Sequence, residues 1–321
     1  MLAVTMGDAN GVGPEIAARA AAEGLLPAES VVYGDRAALE RAARELDMES
    51  ALEQLRIEDL GLLRDADIVP GTVDERVGAA AVEYVARATR DALSGAADAV
   101  VTLPINKEAS RASRPEFTGH TEFIAELCGS PPVTMMLASE ELIVTHVSTH
   151  VSLAEAIRRA TTKRILEVIR LTHGAVSRLR PQARIAVAGL NPHAGEHGAF
   201  GAEDAEQILP AVEQARAEGM DVSGPEPGDT VFFNAVRRGR FDAVVCMYHD
   251  QGHIPMKTLD FDGGVNVTLG LPIVRTSVDH GTAYDIAYQG RASLRSFTLA
   301  LEMAVRLAGH ATAGSGEGEK G

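Results

Sequence analysis

Phe241 to Ala287 reads FDAVVCMYHDQGHIPMKTLDFDGGVNVTLGLPIVRTSVDHGTAYDIA. Its apolar run, Ala243 to Met247, has the length and content of a buried strand. Polar residues begin where that strand should end: His249, Asp250, His253 and Lys257 follow at once, with Asn266, Arg275, Asp279 and His280 beyond. In open α/β sheets ligands collect past the carboxyl ends of the strands, so this stretch points to a fold class and to a place for chemistry.

Working outward, strands and helices alternate. Leu2 to Thr5 is apolar, and MGDANGVGPEIAARAAAEGLL after it reads as a glycine-rich turn and a helix opening at Pro14 with Glu15 in its first turn. Ser30 to Tyr33 predicts a second strand, Arg36 to Met48 an amphipathic helix, and a short strand is expected near Ile68 and Val69. Val82, Val85, Ala86, Thr89 and Leu93 share one helical face, with Gly95 just past the helix end. Ala99 to Leu103 is the next strand, and GHTEFIAELCG from Gly119 is a loop running into a helix. Val133 to Leu137 and Leu142 to Val147 predict a hairpin. Ser152 and Glu155 form a capping-box pattern, and a long helical region runs to about Leu179. A strand from Arg184 to Leu190 then leads into NPHAGEHGAFG and a helix from about Ala202 to Glu218. Such alternation predicts a mostly parallel α/β sheet, broken once by the hairpin.

At 321 residues and 45% apolar content, the chain can bury a core in one large or two ordinary domains. A formal charge of −15 argues against nucleic acid or an anionic membrane surface as partner. A small anionic substrate stays compatible through a local basic pocket. Cys128 and Cys246 form no CxxC pair and point to reduced thiols in the cytoplasm; Cys246 reads as a small core residue. No basic n-region opens the chain and no run approaches about 18 apolar residues, so neither a secretion signal nor a membrane span is expected. The tail, 313–321, is rich in Gly, Ser, Glu and Lys and is expected to be disordered.

Of ten histidines, three occupy matching places: His150, His193 and His249 each follow a predicted strand. If those strands are neighbours in one sheet, three imidazoles converge on one crevice, the donor set of an open, catalytic Zn-, Co- or Mn-type site. Spacing leaves the choice open. His146 competes with His150, and His253 with His249, because residues four apart on a strand share a face.

GDANGVG lacks the Rossmann spacing, and no Gly-Lys-Ser/Thr of a Walker A loop is present. The segment is either a tight turn feeding a helix or a close backbone approach to something else. Lys257 and Arg275 stand among glycines, Asn266 and Thr268, where a phosphate or carboxylate can be held. His120 and Thr121 after Gly119 add donors of the same kind.

Together, GHTEF, STHVSL, GLNPHAGEHGAFG, MYHDQGHIPMK and VNVTLGLPIVRTSVDHGTAYDIA resemble the 4-hydroxythreonine-4-phosphate dehydrogenase family of vitamin B6 synthesis, from Met6 to about Ala292. GDANGVGPE and DHGTAYDIAYQG are similar to the GDGIGPE and HGSAPDIAG motifs of the wider isopropylmalate/isocitrate dehydrogenase superfamily. The resemblance implies a two-domain α/β/α fold with non-Rossmann nucleotide binding. It places a nucleotide-binding domain at 1–125 plus 270–312, and a metal, substrate and dimerisation domain at 126–269. It implies NAD as cofactor and a homodimer with active sites at the subunit interface. Carried over position by position, His150, His193 and His249 match the divalent-metal ligands (Zn, Mg, Mn or Co). His120, Thr121, Lys257, Asn266 and Arg275 match the substrate contacts, and Gly270, Asp279, His280, Gly281 and Asp285 the nucleotide site. Asp250 and Lys257 are the candidate catalytic groups.

The chain departs from the family pattern at Asp8-Ala9-Asn10-Gly11, at Val151-Ser152 and in Ser110 to Glu116. None is a carried-over ligand. The implied reaction is NAD-linked oxidation of the C3 hydroxyl of 4-phosphohydroxy-L-threonine, with decarboxylation to 3-amino-2-oxopropyl phosphate. Relatives acting on 4-phospho-D-threonate, 4-phospho-D-erythronate or a cyclic dihydrodiol are the nearest alternatives. A non-redox metal hydrolase or lyase, or a silent ligand-binding relative, is the alternative of another class.

Overall fold

The computed structural model describes residues 1–309, and the 313–321 tail expected to be disordered lies outside them. The chain forms two compact units. The first is Met1–Ser130 with the described residues from Pro272 onward, and the second is Pro131–Leu271.

The first unit opens with β1 (Leu2–Thr5), α1 (Gly13–Ala22), β2 (Ser30–Gly34), α2 (Arg36–Glu45), β3 (Ile57–Asp59), α3 (Glu75–Leu93), β4 (Ala99–Thr102), α4 (Lys107–Ser113) and α5 (His120–Leu127). The second unit begins with β5 (Thr134–Ala138), β6 (Ile143–His146), α6 (Leu153–Arg159), α7 (Thr162–Leu179), β7 (Ile185–Ala188) and α8 (Leu209–Ala217). It continues through β8 (Val222–Glu226), α9 (Val231–Val236), β9 (Ala243–Cys246), α10 (His249–Leu259) and β10 (Val265–Leu269). The chain then returns to the first unit as β11 (Val274–Val278) and α11 (Arg295–Ala308).

In the first unit the strands lie in the order β3-β2-β1-β4-β11, every neighbouring pair parallel. Val4, Val100 and Val101 are wholly buried, as continuous apolar strands covered on both faces should be. In the second unit the order is β10-β5-β6-β9-β7-β8. β10, β5 and β6 pair antiparallel and the rest parallel. The hairpin expected at 133–147 is present, with Leu137 opposite Val144.

Local signals explain the helix ends. Asp74 caps α3 by accepting from the N–H groups of Arg76 and Val77, and Gly95 follows its end at φ +80°. Ser152 accepts from the Glu155 N–H at the start of α6, but the Glu155 carboxylate pairs with Arg158 and Arg159, so only half of the expected capping box is built.

One expectation is corrected. No strand forms at Ile68 and Val69, because the Val69 N–H donates to Asn10 Oδ1 and the Gly71 N–H to the Asn10 carbonyl; the strand is β3, further upstream. The helix expected from about Ala202 to Glu218 is present, its opening Asp204–Ile208 wound more widely as a π-helix that runs without a break into α8.

Candidate active site

β9 lies between β6 and β7 and is parallel to both. The segments carrying His150, His249 and His193 therefore leave one edge of three adjacent strands, the position that collects ligands in α/β sheets. His249 opens α10. One helical turn separates it from His253, and the two rings stack, with centroids 3.6 Å apart and planes 10° apart. The four-residue spacing thus belongs to a helix and not to a strand.

His146 ends β6 inside the core at 1% exposure. Its Nδ1 lies 3.3 Å from the Met135 carbonyl oxygen and its Nε2 3.2 Å from His253 Nδ1, which is itself 3.1 Å from the His249 carbonyl oxygen. Burial, and then the charge of His253, pulls the His146 pKa down to about 3, so this ring is a neutral core imidazole. α10 passes so close that only glycine fits at 252: a Cβ there would lie 2.6 Å from His146 Nε2 and 3.0 Å from Cys246 Sγ.

His249 Nδ1 is 2.7 Å from Asp250 Oδ1. With the proton on Nδ1, Nε2 is the open lone pair. The His150 and His249 ring centroids are 5.7 Å apart. A metal about 2.1 Å from two imidazole nitrogens leaves their ring centroids roughly 5 to 6 Å apart, so the pair fits two corners of a catalytic metal site. His193 is not brought to them. It is exposed and lines a cavity of about 600 Å³, whereas His150 and His249 line one of about 450 Å³; Tyr248 and Asp250 border both. Among the described residues, no three His, Cys, Asp or Glu side chains of one chain converge as a metal-holding group.

The His193 loop is unusual in its backbone. His193 to His197 run left-handed, with φ between 41° and 81°, which for non-glycine residues costs about 1–2 kcal/mol each. Asp204, 1% exposed, holds the start of the loop: it accepts from the backbone N–H groups of Leu190 (2.8 Å) and Asn191 (3.0 Å) and from Asn191 Nδ2 (2.9 Å).

Elsewhere in the second unit, Lys257 directs Nζ to the Phe261 carbonyl oxygen at 3.4 Å and lies over the Phe261 ring. Asn266 on β10 has its Oδ1 enclosed without a hydrogen bond. Gly270 passes Pro132 closely enough that a Cβ would meet its carbonyl oxygen at 2.2 Å, which gives that glycine a packing reason.

In the first unit, Arg275 on β11 is 3% exposed and its Nη2 donates to Thr102 Oγ1 at 2.7 Å. Burial pulls its pKa down to about 10, against the opposing charge of Glu122, which leaves a cation in the interior. His120 opens α5, with Thr121 next to it. Its Nε2 is enclosed without a hydrogen bond, and burial, then the charges of Arg275 and Lys107, hold its pKa well below the usual histidine value. A buried guanidinium near a neutral imidazole offers charged and polar hydrogen-bonding groups of the kind that can hold an anion.

Asp279, His280 and Gly281 follow β11. The Asp279 N–H donates to Ser296 Oγ at 3.2 Å, while His280, Gly281 and Asp285 are exposed. This loop is bound to the N-terminal glycine-rich loop. The Val12 N–H donates to the Thr282 carbonyl (3.0 Å), Tyr284 OH to Asp8 Oδ2 (2.8 Å) and Tyr288 OH to the Ala9 carbonyl (2.6 Å). Glu15 accepts from the N–H groups of Gly290 (3.3 Å) and Ala292 (3.1 Å). A Cβ on Gly11 would lie 2.9 Å from the Thr282 carbonyl oxygen. The close backbone approach signalled by GDANG is therefore to the chain itself. Sequence reasoning missed Asp8, Tyr284 and Lys107; the first two are paired across 276 positions, which no local pattern reports.

Residues 27–304 match the family described as pyridoxal phosphate biosynthetic protein PdxA. The chain belongs to the PdxA family. A 4-hydroxythreonine-4-phosphate dehydrogenase of Geobacter metallireducens is 47% identical over 96% of this chain and 95% of its own length. A D-threonate 4-phosphate dehydrogenase of Cupriavidus necator is 44% identical over 96% and 97%. The crystal structure of 4-hydroxythreonine-4-phosphate dehydrogenase from Klebsiella pneumoniae superposes with a TM-score of 0.85 at 41% identity, covering 96% of this chain and 99% of that one. The α/β architecture expected from the sequence is thus that of the PdxA family, and the chain is a dehydrogenase. No helix among the described residues is long and apolar enough to cross a membrane.

Proposed function

We propose that the chain oxidises the C3 hydroxyl of 4-phosphohydroxy-L-threonine with NAD and a divalent metal, and that the resulting β-keto acid loses carbon dioxide to give 3-amino-2-oxopropyl phosphate. The observation that carries this reading is the Arg275 site: an interior guanidinium beside an enclosed, neutral His120 in a chain of net charge −15. Guanidinium and imidazole donors of this kind suit recognition of an anion. In this reading Arg275, His120, Thr121, Lys257 and Asn266 hold the substrate. Gly270, Asp279, His280, Gly281 and Asp285 serve the nucleotide.

His150, His249 and His193 would hold the metal, with His193 supplied across a homodimer, since His150 and His249 already lie together in one copy. When bound, the ion supplies Lewis acidity that eases loss of the hydroxyl proton. Asp250 keeps the His249 Nε2 open and stands where it can accept a proton. NAD, when bound, would supply the acceptor for the hydride of C3. Exposed Leu153, Ile157, Phe200, Phe233, Ile254 and Phe261 on the second unit support burial by a second copy, and the free Cys128 and Cys246 suit a cytoplasmic location.

A second reading, oxidation of 4-phospho-D-threonate, is favoured by the Cupriavidus necator relative. One assay separates them: NADH formation with 4-phosphohydroxy-L-threonine, 4-phospho-D-threonate and 4-phospho-D-erythronate, with and without chelator. Preference for the first substrate supports the proposal and preference for the second selects the alternative. Turnover that survives complete metal removal refutes the metal role, and absence of NADH with all three refutes the dehydrogenation proposed.

A further inference from the structure

Lys107, exposed at the start of α4, is absent from the residues that the family resemblance nominates, yet its charge bears on His120 of the proposed anion site. It is the first residue of α4, after Asn106, whose Oδ1 accepts from the Ala109 N–H at 2.9 Å and so fixes the turn. From there its side chain reaches Gly119, the residue before His120. A Cβ built on Gly119 would lie 3.4 Å from Lys107 Cε, 3.5 Å from its Nζ and 3.2 Å from Glu122 Oε2. Lys107 and Arg275 both act on the charge state of His120, and Glu122 acts on Arg275, so the four groups share one locality. Arg275 already donates to Thr102, His120 keeps an enclosed nitrogen without a hydrogen bond, and Lys107 forms no ion pair among the described residues. In a chain with 45 acidic and 30 basic residues, that is a deliberate concentration of positive charge.

We propose that Lys107 is a substrate-binding residue that, with Arg275 and His120, receives the phosphate monoester of the substrate. Two cations match the roughly −1.5 to −2 charge of a phosphate monoester, whereas a carboxylate is satisfied by one guanidinium. Gly119 leaves room for the ammonium to swing between the Glu122 carboxylate and the phosphate. The proposal rests on the dehydrogenase reading above for its substrate but not for its test.

The test uses the full chain with Lys107→Met and Lys107→Arg. Calorimetric titration with inorganic phosphate and, separately, with acetate needs no turnover. Kinetics with 4-phosphohydroxy-L-threonine and 4-phospho-D-threonate then split KM from kcat. Losing one charge-assisted contact should weaken phosphate binding and raise KM by about tenfold or more with a much smaller change in kcat. Acetate binding should be nearly unchanged, and Lys107→Arg should restore most of the phosphate affinity. Phosphate affinity of Lys107→Met within about twofold of wild type overturns the proposal, as does an equal loss for acetate or no phosphate binding by the wild type. If no phosphorylated hydroxy acid is oxidised, the function proposed above fails while the phosphate titration still decides the role of Lys107.

Discussion

Replacing Gly252 with alanine tests the packing that positions His249. A methyl at 252 begins 2.6 Å from His146 Nε2 and 3.0 Å from Cys246 Sγ, while non-bonded heavy atoms settle at about 3.5 Å or more. Neither neighbour is a flexible chain end: His146 is 1% exposed with both ring nitrogens engaged, and Cys246 is fully buried in β9. α10 must therefore shift outward by most of the shortfall, roughly 0.9 Å against that contact distance. Overpacking of this kind costs about 1–3 kcal/mol, and the better helix propensity of alanine returns about 1 kcal/mol. The expected net loss is about 1 kcal/mol, with about 2 kcal/mol as the upper end. Gly174→Ala in α7 is the control, because a Cβ there meets nothing within 4 Å; it should stabilise by about 0.4–1 kcal/mol. Scanning calorimetry on both variants reads the sign directly, at a few degrees per kcal/mol. If Gly252→Ala raises the transition temperature as Gly174→Ala does, the close approach of α10 to His146 is wrong.

Three further perturbations probe the rest of the site. Asp204→Asn turns an acceptor of three N–H groups into a side chain that must aim a donor at some of them, at a cost of about 1–3 kcal/mol; amide exchange at 190–201 should quicken, and unchanged exchange there would show that the His193 loop is held otherwise. Tyr284→Phe removes the hydrogen bond to the buried Asp8 and should raise the KM for NAD about fivefold with little change in kcat; an unchanged KM would dissociate this pair from the nucleotide. His120 has a folded pKa depressed below its unfolded value by burial and by the Arg275 and Lys107 charges. The unfolded chain therefore takes up a proton that the native chain refuses, and stability present above about pH 6.5 is lost as pH falls, by at most about 1.4 kcal/mol per pH unit. Wild type should lose transition temperature between pH 7 and 5 more steeply than His120→Asn, and parallel curves would contradict the burial.

Strands were legible where the sheet is buried on both faces. Ala243 to Cys246, Leu2 to Thr5 and Ala99 to Thr102 are continuous apolar runs too short for helices, and each is a strand. β3 escaped because Ile-Glu-Asp at the edge of the first unit's sheet carries one apolar residue, so no pattern announces it. The histidines were legible as strand-end residues, but their partnerships were not. Whether 249 and 253 share a face or a stack depends on α10, and a helix containing Gly252 and Pro255 is weakly signalled by propensity. The His193 loop turns left-handed from His193 to His197, and Ala194 and Glu196 within it are residue types that give little notice of positive φ.

The two motifs at opposite ends of the chain make the same point from the other side. GDANG was readable as a glycine requirement and DHGTAYDIA as a match to a nucleotide-binding motif, yet the physical reason for the first is the backbone of the second. Gly11 lacks a side chain where a Cβ would press to 2.9 Å from the Thr282 carbonyl oxygen, and the Val12 N–H donates to that same oxygen. Asp8 extends the contact by taking the Tyr284 hydroxyl, and burial raises its pKa, so that the pair is worth most when the carboxylate is kept from water. A loop fixed by this many hydrogen bonds needs no Rossmann turn to be rigid, because rigidity comes from the opposite end of the chain. Substitutions at Gly11 should therefore disturb the 279–287 loop before they disturb β1 or α1, even though those elements are their neighbours in sequence.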